Sequence, residues 1–164
     1  MNTFLALSVL GSLVFTISLI ILITLFGIPE SLSQSFYNLG GREGKGYLFY
    51  LMILSTVFLL IFPLVEAAQA AGFICGGSLL FVGAAAAFKD DKTAKWIHIS
   101  SALLSFVMAV VTLLKIGELI CVAPITLLVI ILGVATMTIK DCKIFWLEMI
   151  PMYSIFTGLI AYFS

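Results

Sequence analysis

The chain alternates between long apolar runs and short polar connections, and this alternation predicts its helices. Six runs are apolar over almost their whole length: about Thr3–Phe26, Tyr47–Val65, Ala70–Phe88, Trp96–Leu114, Leu119–Ile139 and Ile144–Phe163. A helix needs roughly 20 residues to cross a bilayer core about 30 Å thick, and each run has about that length. The pattern predicts an all-α, polytopic integral membrane protein with six transmembrane helices and short loops, in a single domain over residues 1–164.

The composition agrees with a lipid environment. Apolar residues make up 63% of the chain and charged residues 10%, whereas soluble domains contain about a half and about a quarter. A globule of this length still exposes much of its surface, so it cannot bury such an excess. We therefore expect the lipid bilayer to be a partner of this chain. The formal net charge is zero, which gives no indication of a nucleic-acid partner.

Positive charge is distributed unevenly between the two ends of the predicted spans. When the chain is threaded back and forth through the six runs, Lys115 alone falls on one face. The opposite face holds the other seven basic residues: Arg42, Lys45, Lys89, Lys92, Lys95, Lys140 and Lys143. Short loops rich in Lys and Arg stay in the cytoplasm. We therefore expect both termini outside the cytoplasm, in a bacterial inner (cell) membrane.

Two connections need a separate interpretation. The stretch Tyr47–Phe88 is too long for one crossing, and we place a tight turn near Glu66–Ala71, because without it every later loop would change sides. The segment 28–46 has apolar residues at helical spacing: Ile28, Leu32, Phe36 and Leu39. It predicts a short amphipathic helix in the cytoplasmic interface. The alternative is a re-entrant segment that dips into the protein, where its serines would line a site.

Small residues in the third run favour close helix packing. Gly72 and Gly76 are four residues apart, and Gly83 follows near the end of the run. This spacing lets helix backbones approach in lipid, and it leaves open whether the neighbour is another span or a second copy of the chain. Cys75 and Cys121 lie at similar depths. They are either two buried thiols or, if their spans touch, disulfide partners.

The fourth run carries a polar stripe. His98, Ser101, Ser105, Ala109 and Thr112 are three or four residues apart, so they share one helix face. Polar groups avoid lipid, and this face should therefore look into the bundle. One interpretation is a polar path or small-molecule pocket with His98 at its cytoplasmic mouth. The other is that these side chains bond neighbouring helices, with His98 at the headgroups.

Glu148 is the second candidate for chemistry. It lies five residues after Lys143 and three before Pro151, inside the start of the sixth run. A carboxylate at that depth is costly and needs a partner. One interpretation sets it opposite His98, which titrates near neutral pH, so that the pair handles a proton or a cation. The other is a structural ion pair with Lys143, Lys140 or His98.

The sequence lacks the residue sets of common enzyme and metal sites. One His and three scattered Cys do not form a zinc site rich in these residues. There is no nucleophile elbow, phosphate-binding loop, zinc-protease motif or dinucleotide fingerprint. We therefore expect no cofactor and no metal, and the motifs point to no catalytic residue.

Two short stretches stand out beside these groups. The first is Gly27–Ser33 with Tyr37 after it, and the second is Leu80–Gly83 followed by His98. Together they resemble small six-span membrane proteins predicted in gut Bacteroidetes and their phages. The resemblance implies no activity, so no functional residue is carried over from it. It marks five positions as special, four of them in a candidate loop: Pro29, Ser31, Ser33, Tyr37 and His98.

Three functions compete on this evidence. The first is a non-catalytic membrane protein that acts through helix packing with itself, with lipid or with a membrane partner. The second is a small-molecule or ion-coupled transporter that uses the polar stripe and Glu148. The third is a membrane-embedded lipid-modifying enzyme at the cytoplasmic face, using His98 with Glu148 or the loop serines. The lack of motifs and the glycine spacing favour the first.

Overall fold

The computed structural model describes five continuous helices. The described residues are 2–28, 31–32, 46–86, 92–118 and 143–164, with the single positions 123, 126, 127, 130, 131 and 134. The helices are α1 Thr3–Phe26, α2 Gly46–Ala68, α3 Ala70–Ala86, α4 Lys92–Ile116 and α5 Lys143–Phe163. The described part of the chain is all-α, as the apolar runs predict.

Four of these helices, α1, α2, α4 and α5, are long and apolar enough to cross a membrane. The apolar part of α3, Ala70–Ala84, is shorter. Six positions are described in the predicted run Leu119–Ile139, and all six are helical. The rest of that run lies outside the described residues. An all-α integral membrane protein is therefore confirmed with four candidate spans, and the predicted count of six is not reached within the described residues.

The ends of α1 show how local sequence sets its limits. The Asn2 side chain caps the helix by accepting a hydrogen bond from Phe4 N–H at 3.0 Å. At the other end Gly27 has a φ of 80° and donates its N–H to Ile23 O at 2.7 Å. Glycine takes this left-handed conformation without strain, so the helix ends there.

A single residue, Gln69, connects α2 and α3. Its φ is +52°, its N–H donates to Val65 O at 2.7 Å, and its carbonyl accepts from Phe73 N–H at 3.0 Å. This turn lies within the stretch Glu66–Ala71, where the sequence analysis placed it. It reverses the chain, so α2 and α3 form a helical hairpin, and α4 packs against α3.

Aromatic side chains hold the first helix against the last. Phe15 is fully buried, and its ring contacts Tyr153 and Phe156 edge-on with centroid distances of 6.2 and 5.4 Å. Such pairs contribute about 0.5–1.5 kcal/mol beyond the area they bury. Tyr153 Oη also donates to Thr16 Oγ1 at 3.2 Å. The two ends of the chain therefore belong to one core.

The outer surface consists largely of big apolar side chains. Phe58 and Phe62 on α2 are 71% and 61% exposed, and Ile17, Phe73 and Leu103 are exposed on three other helices. Monomeric soluble proteins rarely expose apolar patches of this extent. On helices long enough to span a membrane, this surface is in contact with lipid.

The glycines of α3 differ in what surrounds them. A Cβ built on Gly72 would overlap the backbone carbonyl of Leu64, and one on Gly76 would lie 2.5 Å from Ile61 Cδ1. Both neighbours belong to α2 of the same chain. A Cβ on Gly77 would meet nothing within 4 Å, and Gly83 is buried. Gly72 and Gly76 thus pack within the chain, which was one of the two alternatives.

Of the segment 28–46, the structure describes Ile28, Ser31 and Leu32 and then the start of α2 at Gly46. Ser31 and Leu32 are 6% and 5% exposed, and Leu32 belongs to the main apolar core. Leu32 belongs to the apolar face of the predicted amphipathic helix, so burial at these two positions fits both the interfacial helix and the re-entrant segment. Pro29, Ser33 and Tyr37 lie outside the described residues.

Candidate functional site

A cavity of about 260 Å³ lies between α2, α3, α4 and α5. The lining residues of α2 and α3 are three or four apart, and those of α4 and α5 are one or three apart, so each set lies on one side of its helix. The lining of α5 runs from Ile144 to Phe156 and that of α2 from Ile53 to Leu64. Twelve steps along α5 correspond to about 18 Å. The cavity therefore extends along roughly half of a bilayer core about 30 Å thick.

Polar side chains contribute to this lining at three described positions, Cys75, Ser105 and Glu148. Ser105 Oγ donates to Cys75 O at 3.4 Å, and the Cys75 thiol donates to Ser105 O at 3.7 Å. These two residues therefore bond each other across α3 and α4. Cys75 is a free thiol, so a disulfide with Cys121, which lies outside the described residues, is not formed.

Glu148 is bound to Leu32, in the connection between α1 and α2. Its Oε2 accepts a hydrogen bond from Leu32 N–H at 2.6 Å. Among the described contacts this is its one hydrogen bond. A charge-assisted bond of this kind is short and roughly twice as strong as a neutral one. The carboxylate thus gains the partner that its depth requires, and Leu32 is fixed beside the cavity.

Pro151 leaves one backbone carbonyl near Glu148 without its helical donor. It lies inside α5 and lines the cavity together with Leu147. Proline has no N–H, so the carbonyl four residues before it, that of Leu147, lacks its helical donor. This end of the cavity therefore contains the Glu148 carboxylate and a Leu147 carbonyl that lacks its helical donor.

Three lining residues of the cavity are also exposed on the outer surface of the protein. Phe106, Ile144 and Leu147 line the cavity and are at the same time 47%, 57% and 62% exposed. Phe106 belongs to α4 and the other two to α5. At these positions the cavity wall is therefore also part of the outer surface of α4 and α5.

The residues of the polar stripe on α4 have different surroundings. Ser105 lines the cavity, and Ser101 is half-buried. His98 Nδ1 lies 3.0 Å from Val82 O, and because a carbonyl only accepts, the imidazole donates through Nδ1–H. His98 is thus bonded to α3. No hydrogen bond or ion pair joins it to Glu148 among the described contacts.

Thr112 lies at the far end of the stripe. It is fully buried, and its hydroxyl has no hydrogen-bond partner. It does not belong to the described cavity lining, which ends on α4 at Ala109. The cavity therefore brings together Ser105 and Glu148 from the predicted polar pocket, and its described lining does not include His98, Ser101 or Thr112.

Two contacts were missed by the sequence analysis. One is the hydrogen bond between Leu32 and Glu148. The sequence indicated it only through the presence of an acidic residue within an apolar run. The other involves Lys115, whose Nζ donates to Ala68 O, the last residue of α2, at 3.5 Å. A cation at a helix C-terminus satisfies a free carbonyl. Both contacts join residues far apart in the chain.

Comparisons with protein-family models, with curated proteins and with solved structures find no match.

Proposed function

We propose that the chain is a non-catalytic integral membrane protein that acts through packing, with lipid as the partner that it packs against. In this proposal one hydrocarbon chain of a membrane lipid enters the cavity between α4 and α5. The observation that carries it is that Phe106, Ile144 and Leu147 both line the cavity and are exposed on the outer surface. Apolar walls with a few placed polar groups are typical of ligand sites.

The bonding of the polar stripe supports packing rather than transport. Transport along α4 requires a polar route from His98 past Thr112. His98 and Ser105 bond carbonyls of α3, and the described lining ends at Ala109. Hydrogen bonds between helices in lipid contribute about 0.6 kcal/mol on average and at most about 1.7. These residues therefore suit a structural role.

The proposal includes six spans with both termini outside the cytoplasm of a bacterial inner membrane. α3 has 17 residues, at the lower limit of about 17–25 for a crossing helix, and it returns the chain after α2. Helical positions between 123 and 134 agree with a further span. Reporter fusions at the C-terminus and in the loop 87–91 should report opposite sides of the membrane. Reports from the same side would contradict this topology.

The lipid-packing proposal is tested by native mass spectrometry of the protein released from nanodiscs. The wild-type chain should carry one lipid molecule after loosely bound lipids have been removed by collisional activation. Ala102→Leu places a larger side chain in the lining and should remove this adduct. Val110→Leu, at an exposed position on the same helix, is the matched control and should keep it. An adduct that is absent from the wild type, or equally present in Ala102→Leu, refutes the proposal.

A lipid-modifying enzyme is a second candidate, and the position of Ser31 favours it. Buried Ser31 precedes Leu32, whose N–H bonds Glu148 beside the cavity. One loop serine of that hypothesis therefore lies next to the residue that bonds the carboxylate. Incubation of the nanodisc sample with its own lipids, followed by lipid mass spectrometry, tests it. A time-dependent new lipid species that disappears in Glu148→Gln would establish catalysis, and unchanged lipids favour packing.

A further inference from the structure

The two ends of the cavity differ in chemistry, and the difference identifies a class of ligand. We infer that the site selects a single-chain amphiphile whose head group donates hydrogen bonds, with a positively charged amine bound most tightly. This inference rests on the proposed lipid-packing function and adds the head-group chemistry to it. Its ligand would lie with the head at Glu148 and the chain along α2, α4 and α5.

The head-group end offers acceptors to a ligand. Glu148 Oε2 already receives Leu32 N–H, so the amide of Leu32 is engaged. Glu148 lines the cavity, and an ionised carboxylate can accept several hydrogen bonds. The Leu147 carbonyl lacks its helical donor because Pro151 has no N–H. The described lining contains no Lys, Arg or His. A head group that donates hydrogen bonds therefore finds partners there, whereas a carboxylate head group meets the like charge of Glu148.

The remainder of the cavity suits one hydrocarbon chain. The described wall residues beyond Glu148 are apolar except for Cys75 and Ser105, and those two groups bond each other's backbone carbonyls. An apolar cavity of about 150 Å³ in another protein stays dry and binds benzene. The volume here is about 260 Å³, and the α5 face extends over about 18 Å. This shape is long and narrow, which fits a chain better than a ring system.

Selection must come from the head group, because lipid tails are as apolar as the cavity walls. Moving a hydrocarbon chain from the bilayer into the cavity brings little hydrophobic gain. A hydrogen bond to a charged group is stronger than a neutral one. We therefore expect an amine to bind at least about ten-fold more tightly than a carboxylic acid of equal chain length.

The test uses three probes with the same chain: dodecylamine, dodecanol and laurate. Each is titrated into wild-type protein in nanodiscs, and the bound fraction is read from native mass spectra. The expected order is amine, then alcohol, then acid. Glu148→Gln removes the charge and keeps an acceptor, so the preference for amine over alcohol should fall to less than about three-fold. Glu66→Gln, on an exposed residue outside the described lining, should keep it.

The outcomes separate this inference from the function on which it rests. If all three probes bind the wild type equally and Ala102→Leu blocks them, the cavity takes lipid chains but does not select the head group, and the inference is overturned. If no probe binds and the wild type carries no lipid, both proposals fail. Should Glu148→Gln fail to fold, the order of the three probes on the wild type still decides the inference.

Discussion

Replacing Glu148 by Ala removes the acceptor that holds Leu32 in place. Leu32 is 5% exposed, and its backbone N lies 2.6 Å from Glu148 Oε2. A hydrogen bond to a charged group contributes about 1.5–3 kcal/mol. Each 1.4 kcal/mol is about a ten-fold change in an equilibrium. We therefore expect the population in which Leu32 is released to rise roughly 10- to 100-fold.

Amide hydrogen exchange of Leu32, followed by NMR in nanodiscs, measures this population, because an amide exchanges when its bond opens. Glu148→Ala should accelerate the exchange of this amide by roughly ten-fold or more. Glu148→Gln keeps an acceptor and should have a smaller effect. Glu66→Ala changes an exposed carboxylate and serves as the control. An unchanged exchange rate in Glu148→Ala would show that burial, and not the carboxylate, holds Leu32.

The remaining predictions concern packing and turns, and thermal unfolding in detergent checks each of them. Gly72→Ala should destabilise the protein by several kcal/mol or prevent its assembly, because the new methyl group meets α2 backbone. Gly77→Ala adds a methyl group in open space and should stabilise the protein by up to about 1 kcal/mol. Equal effects of these two substitutions would refute the packing of Gly72 against α2. Gln69→Gly relieves a left-handed residue and should stabilise by about 1 kcal/mol; a lower melting temperature would contradict this. His98→Ala should lower stability by about 0.6–1.7 kcal/mol through the lost bond to Val82, and no change would show a merely interfacial residue.

The helices could be predicted because nearly every residue of a membrane-spanning helix has to be apolar. The apolar runs therefore appear as continuous stretches in the sequence. α1 has the predicted bounds, Thr3–Phe26, and other helices extend beyond their predicted runs. α4 begins at Lys92, four residues before the predicted Trp96, and α2 continues to Ala68 beyond the predicted Val65. A helix does not stop where the hydrocarbon core ends, because the headgroup layers add about 5–8 Å on each side. Hydropathy alone therefore underestimates helix length.

The turn at Gln69 was predictable for a different reason. Without a reversal there, the positive loops would fall on both sides, so charge distribution located the turn although no glycine marks it. Its one-residue length was not predictable, since Gln rarely has a positive φ. The backbone bonds from Val65 and to Phe73 hold that conformation.

The candidate site was predictable only in its parts. Glu148 and Ser105 stood out because polar residues within apolar runs are costly. Periodicity shows which residues share a helix face, but it carries no information about which face of another helix lies opposite. The bond between Leu32 and Glu148 joins residues 116 positions apart. The cavity arises from four such faces together, so no single segment of sequence indicates it.

Photolabelling with a membrane lipid that carries a diazirine on its acyl chain tests the central claim most directly. After irradiation in nanodiscs, peptide mapping assigns the labelled residues. The account predicts strong labelling at cavity positions that have little exposure, above all Ile53 and Met152, which are 2% and 8% exposed. Labelling confined to outward side chains such as Phe58, with none at those two positions, would show that lipid stays outside the bundle and would contradict the account.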